Sequence, residues 1–154
     1  EAGATDPLMD ELEALKDQAA RQEEKYLRLA AEYDNFRKRT AKEKEAIWND
    51  AKADAALAFL PVYDNLERAL NQPTADEAYK KGVEMTMNQL KTVLEKLGIT
   101  EIEALGQPFD PTLHNAVMHI EDENFGENTV AEVFQAGFRL GDKVVRFAMV
   151  KVAN

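Results

Sequence analysis

The stretch that decides the fold is Leu12–Thr40, LEALKDQAARQEEKYLRLAAEYDNFRKRT. Counted from Leu8, one residue class recurs at steps of four, three, four, three. The positions are Leu8, Leu12, Leu15, Ala19, Gln22, Tyr26, Leu29, Tyr33, Phe36 and Thr40. This is a heptad seam, with Glu, Lys and Arg on the flanks, and it predicts a coiled-coil helix. Asp6-Pro7 supplies an N-cap and a first helical residue. No Gly occurs between Pro7 and Gln72. An unbroken helix of that length would run on the order of 100 Å at ~1.5 Å per residue. Pro61 is expected to kink it or to mark a joint near its end. Too little chain remains to cover such a seam, so the seam argues for a second copy of the chain, most simply parallel to the first. Leu12, Leu15, Tyr26, Leu29, Tyr33 and Phe36 are the expected dimer contacts. The polar positions Gln22 and Thr40 should weaken the pairing locally and help fix its register.

Working outward, the 154 residues suit one or two modest domains. The segment Ala55–Leu70 is amphipathic through Leu57, Leu60, Leu66 and Leu70. After Asn71-Gln72-Pro73-Thr74, the stretch TADE (Thr74–Glu77) has capping-box spacing, with Thr74 as N-cap and Glu77 at the third helical position. An apolar stripe follows at Tyr79, Val83, Met87, Leu90, Leu94 and Leu97, closed by Gly98. Two copies of this helical pair would make a four-helix bundle. Beyond Gly98 the composition turns to Gly, Val and Phe. VRFAMVKV alternates, with Val145, Phe147 and Met149 on one face and Arg146, Ala148 and Val150 on the other. Gly141-Asp142 fits a type II′ hairpin. The expected fold class is therefore α+β. It comprises a long N-terminal helix in a parallel dimeric coiled coil (1–54), a helical hairpin contributing to a dimeric four-helix bundle (55–98), and a small, mostly-β domain (99–154) that leans on the bundle.

Composition narrows the chemistry. There is no Cys and no Ser, so disulfides, thiolate nucleophiles and serine triads are excluded. The HEXXH, P-loop and GxGxxG patterns are absent. The acidic start, EAGATDPLMDEL, does not read as a signal peptide, and its lack of an initiator Met suggests trimming. No apolar run approaches a membrane span. A net charge of −10 opposes binding to nucleic acid or anionic membrane.

Three features invite a functional reading. In FDPTLHNAV (Phe109–Val117), Asp110 and His114 lie one turn apart behind Pro111. With His119 as the only other imidazole and no third ligand, capping and packing outweigh catalysis or metal binding. Asp110-Pro111 should open a helical turn running to about Val117. Arg37, Lys38 and Arg39, followed by Lys42 and Lys44, read as a solvated helix face diluted by Glu43 and Glu45, with a docking patch for an acidic protein as the alternative. Phe138, Arg139, Lys143 and Arg146 have the composition of an interface and equally of an ordinary strand surface.

Together these stretches resemble the GrpE family, the nucleotide exchange factors of DnaK-type heat-shock chaperones. FDPTLHNAV is followed, after a spacer, by GFRLGDKVVRFAMVKV. AEYDNFRKRT (Ala31–Thr40) and FLPVYDNLERAL (Phe59–Leu70) look like the family's helical segments. The resemblance covers nearly the whole chain from about residue 8. One departure is Phe147, where many members carry Pro. It restores a strand N–H and leaves the shape of the last strand open.

The resemblance implies a parallel homodimer whose β domain enters the nucleotide-binding cleft of one chaperone molecule. It implies no reaction of its own, no cofactor and no metal. Phe109, Pro111, Phe134, Lys143 and Val152 match positions expected to touch the chaperone, and Arg146 is either a contact or structural. Arg37, Lys38 and Arg39 are candidates for long-helix contacts. Gly98, Gly137, Asp110 and His114 are expected to be structural. A bacterial cytoplasm fits best, ahead of a mitochondrial matrix. The competing class is a coiled-coil tether without exchange activity.

Overall fold

The computed structural model describes Gly3 and residues 6–154. Glu1, Ala2, Ala4 and Thr5, on which part of the reading of the acidic start falls, lie outside the described residues. The chain divides into two compact units, one up to Ile47 and one from Trp48 to Asn154. Helix α1 (Pro7–Leu70) contributes to both.

In the first unit α1 starts as the sequence requires. Asp6 Oδ1 accepts the Leu8 N–H at 3.1 Å, and the Asp6 carbonyl accepts that of Met9 at 2.8 Å. Pro7, which has no N–H to orphan, takes the first helical position. Ion pairs one turn apart decorate the flanks: Glu24–Arg28, Asp34–Lys38 and Arg39–Glu43. Each stabilises a helix by only about 0.3–0.5 kcal/mol. The seam side chains Leu12, Leu15, Tyr26, Leu29, Tyr33 and Phe36 stand 44–70% exposed.

In the second unit the same helix becomes a core element. Ala53, Ala56, Leu60 and Tyr63 are buried at spacings of three and four. The helix continues through Pro61, which therefore marks no end or joint. Helix α2 (Glu77–Lys96) is capped by Asp76, not Thr74. Asp76 Oδ1 accepts the Tyr79 N–H at 3.0 Å, and Thr74 Oγ1 accepts the N–H of Asp76 at 3.1 Å. The carboxylate reaches the third helical amide, so the helix starts at Glu77. Gly98 (φ +80°) ends α2 in the left-handed conformation. A Cβ there would sit 3.2 Å from Leu140 Cδ1.

Six strands follow: β1 (Ile99–Glu101), β2 (His114–Ile120), β3 (Thr129–Gln135), β4 (Phe138–Leu140), β5 (Lys143–Arg146) and β6 (Ala148–Ala153). They form two three-stranded sheets, ordered β1-β4-β5 and β2-β6-β3. β6 is central in the second sheet, parallel to β2 and antiparallel to β3. β4 and β5 pair across Gly141-Asp142, with positive φ at Gly141 alone, as a type II′ turn requires.

The alternating run Val144–Val152 is not one strand. It breaks at Phe147 and serves two cores. Val145 packs on a cluster made by Leu60, Tyr63, Met87, Leu94, Ile99 and Phe138. Ala148, Val150 and Val152 pack with Ala104 and Val130. The crossing is tight, since a Cβ on Gly137 would lie 2.4 Å from the Ala148 nitrogen. The first cluster joins α1, α2, β1 and β4, so the helical pair and the first sheet share one interior. Complete burial of Leu60, Ile99, Val130 and Val150 contributes about 1.5–3 kcal/mol apiece.

Candidate partner-binding surface

The β4–β5 hairpin presents Lys143 just past its turn. Lys143 Nζ donates to Asp50 Oδ1 of α1 at 2.6 Å, in a pair whose side chains are 44% and 60% exposed. The hydrogen bond to Asp50 raises the Lys143 pKa, and the charges of Asp50 and Asp54 add to it.

Arg146, on the same strand, is bound differently. Its NH1 and NH2 groups donate to Asp64 Oδ2 and Oδ1, both at 2.8 Å, and its Nε donates to the Ala136 carbonyl at 3.0 Å. The guanidinium carbon lies 5.7 Å from the Phe138 ring centroid. Gln135 Nε2 also donates to Asp64, at 3.2 Å. The Arg146 and Asp64 side chains are only 13% and 21% exposed. This fork fastens β5 and β3 to α1.

Phe134 sits where the β3–β6 register slips, between Val133 and Gln135. The bulge re-aims its ring outward, about half exposed, with Lys151 Nζ 5.4 Å from the centroid. Phe134 lines a 310 Å³ cleft with Asp64, Glu67 and Gln135. Phe109 and Pro111 belong to a different cleft, of 510 Å³, with Glu103, Gln107 and His114. Phe109 is half-buried against the second core, and Pro111 is exposed. Val152 is 3% exposed within that core. The Val152 side chain therefore presents no surface to a partner in this fold.

The Asp110–His114 pair builds the loop before β2. Asp110 Oδ1 accepts the Thr112 hydroxyl at 2.7 Å and its N–H at 2.9 Å, and these bonds, the hydroxyl's foremost, lower the Asp110 pKa. The Asp110 N–H donates to His114 Nδ1 at 3.1 Å. His114 Nε2 lies 3.4 Å from the Glu103 carbonyl, a geometry suited to the tautomer protonated at Nε2. The turn stops at Leu113 and His114 begins β2. The expected run to Val117 is cut short because the sheet claims those residues as partners for β6. Among the described residues, no group of three or more His, Cys, Asp or Glu could hold a metal ion.

Arg37 and Lys38 both pair with Asp34, at 3.4 and 2.7 Å, and Arg39 lies over the Phe36 ring at 5.8 Å. These are the contacts of a solvated helix face.

The sequence did not reveal Asp50, Asp64 or Glu67 as neighbours of the candidate surface, nor Tyr63 as the core residue beneath it. The one legible signal of the three carboxylates is their place on the face of α1 that carries apolar residues. Tyr63 meets Phe138 edge-on at 5.0 Å. Burial pushes its pKa up to about 12, helped by Glu101, Glu67 and Asp64. Burial also raises the Glu67 carboxyl, with Glu101 and Asp64 adding to it.

A long helix, a helical pair and a two-sheet β unit define an α+β chain of the kind the sequence implies. The family model described as GrpE matches residues 2–154. Protein GrpE of Clostridium acetobutylicum is 57% identical over 144 residues, covering 94% of this chain and 68% of that one. Protein GrpE of Clostridium beijerinckii is 57% identical over 131 residues, covering 85% of this chain and 63% of that one. Protein GrpE of Bacillus velezensis is 45% identical over 147 residues, covering 94% and 75%. The chain belongs to the GrpE family.

Proposed function

We propose that this chain is an adenyl-nucleotide exchange factor. It binds the nucleotide-binding domain of a DnaK-type chaperone, holds its cleft open and speeds ADP release during protein folding and heat stress. The observation that carries the reading is the family match over residues 2–154. The exposed positions Pro111, Phe134 and Lys143, with the half-buried Phe109, supply the contact set. Arg146 is committed to Asp64 and Val152 to the core, so both leave it. Arg37, Lys38 and Arg39 remain candidates for contacts along the long helix.

The mechanism is one of linkage. Only a protein that binds the open, nucleotide-free cleft better than the closed one shifts its partner's population. By reciprocity, ADP must weaken the complex by the same factor. Each tenfold acceleration requires about 1.4 kcal/mol of barrier lowering, within reach of a few wedge contacts. The working form is a homodimer, and the exposed seam side chains of α1 support that reading. The chain acts in a bacterial cytoplasm, with a mitochondrial matrix as the lesser alternative. Its net charge of −10 disfavours nucleic acid as a partner. Among the described residues no helix is long and apolar enough to cross a membrane.

The test is to titrate the chaperone's nucleotide-binding domain with this chain, with and without ADP. Binding that ADP weakens supports the proposal. Binding indifferent to ADP contradicts it.

A further inference from the structure

We propose that Asp50 sets the affinity of the partner contact by competing, within the chain, for Lys143. The inference rests on the exchange-factor reading and concerns the same hairpin. Two ion pairs tie β5 to α1, and they differ in kind. Arg146–Asp64 is bidentate, shielded and reinforced by the Ala136 carbonyl. Lys143–Asp50 is a single contact at 2.6 Å between two exposed side chains 93 residues apart in sequence. The first is a fastener, whereas the second opens without disturbing any buried group.

An ammonium already paired with one carboxylate gains less from meeting another, and Lys143 must swing off Asp50 to reach outward from α1. The apparent affinity is reduced by the fraction of molecules in which Lys143 is free. Exposed pairs of this type shift such equilibria by roughly 1.5- to 5-fold. Asp54, one turn beyond Asp50, adds to the field at Lys143 without bonding to it. Asp50 is thus a tuning residue. It keeps Lys143 extended over α1 and makes the contact one of exchange between carboxylates, or between a carboxylate and a polar group of the cleft.

The experiment is a double-mutant cycle on the full chain. Affinity for the nucleotide-free chaperone domain is measured for the parent, Asp50→Asn, Lys143→Ala and the double variant. Asp50→Asn should tighten binding roughly 1.5- to 5-fold and have no effect in the Lys143→Ala background. Equal tightening in both backgrounds would mean general charge repulsion and would overturn the proposal. So would unchanged or weaker binding by Asp50→Asn. Thermal unfolding of the same four chains, without chaperone, should show coupling between the two positions. Its absence also overturns the proposal, without touching the exchange-factor reading. Failure of the parent to bind at all would instead overturn that reading and the inference with it.

Discussion

Arg146 carries more structure than any other charged residue of the β unit. Removing it as Arg146→Ala leaves Asp64 shielded and the Ala136 carbonyl short of a donor. The expected loss is about 2–3 kcal/mol in urea unfolding. Loss below about 0.5 kcal/mol would show that water replaces the fork. Gly137→Ala drives a methyl into the Ala148 backbone. It should cost about 2–3 kcal/mol, read in the same assay. Tyr63 and Glu67 give pH-dependent tests. Both have raised values in the fold, so each contribution is intact at low pH and is lost as pH climbs through the folded value. For Glu67 the loss begins near 4.5 and is present at neutrality. Glu67→Gln should therefore raise the Tm at pH 7 and lose that advantage in acid. For Tyr63 the window runs from 10.0 to about 12. Tyr63→Phe should unfold at higher pH than the parent, followed by circular dichroism. The long-range pairings were not legible in the sequence. Asp64 and Arg146 are 82 positions apart, and Asp50 and Lys143 are 93 apart. Pairing over such distances leaves no periodic trace.

Elements were more legible, because their signals are local. The heptad steps, Asp6-Pro7, the α2 stripe, Gly98 and Gly141-Asp142 all report on residues within a turn or two. The errors were also local in origin. Thr74 and Asp76 are both competent caps, and the structure uses Asp76. Val145–Val152 alternates over much of its length, yet the run is two strands, and Gly137 admits Ala148 at the crossing between sheets. Periodicity records which side chains are apolar, not which of two cores they enter. Pro61, read as a kink or a joint near the end of α1, lies inside the helix, which continues to Leu70. Its ring removes one helical N–H. Pro61→Ala should restore that bond and add about 1–3 kcal/mol to stability. Lower stability would mean that the helix needs the proline's shape next to Leu60.

At the scale of the molecule, the seam side chains of α1 stand exposed within one chain, and in the proposed homodimer a second copy covers them. Gln22 and Thr40 break its apolar character, so the long helices should separate before the helical pair melts. Replacing both with Leu should raise the first helical transition on heating, and an unchanged transition would contradict that reading. The central claim concerns what the assembled protein does to its partner. It is tested most directly by the release of fluorescent ADP from the nucleotide-binding domain of a DnaK-type chaperone, with and without this chain. The account predicts marked acceleration, reduced by Lys143→Glu at unchanged fold. Release at the same rate with and without a folded dimer would contradict it.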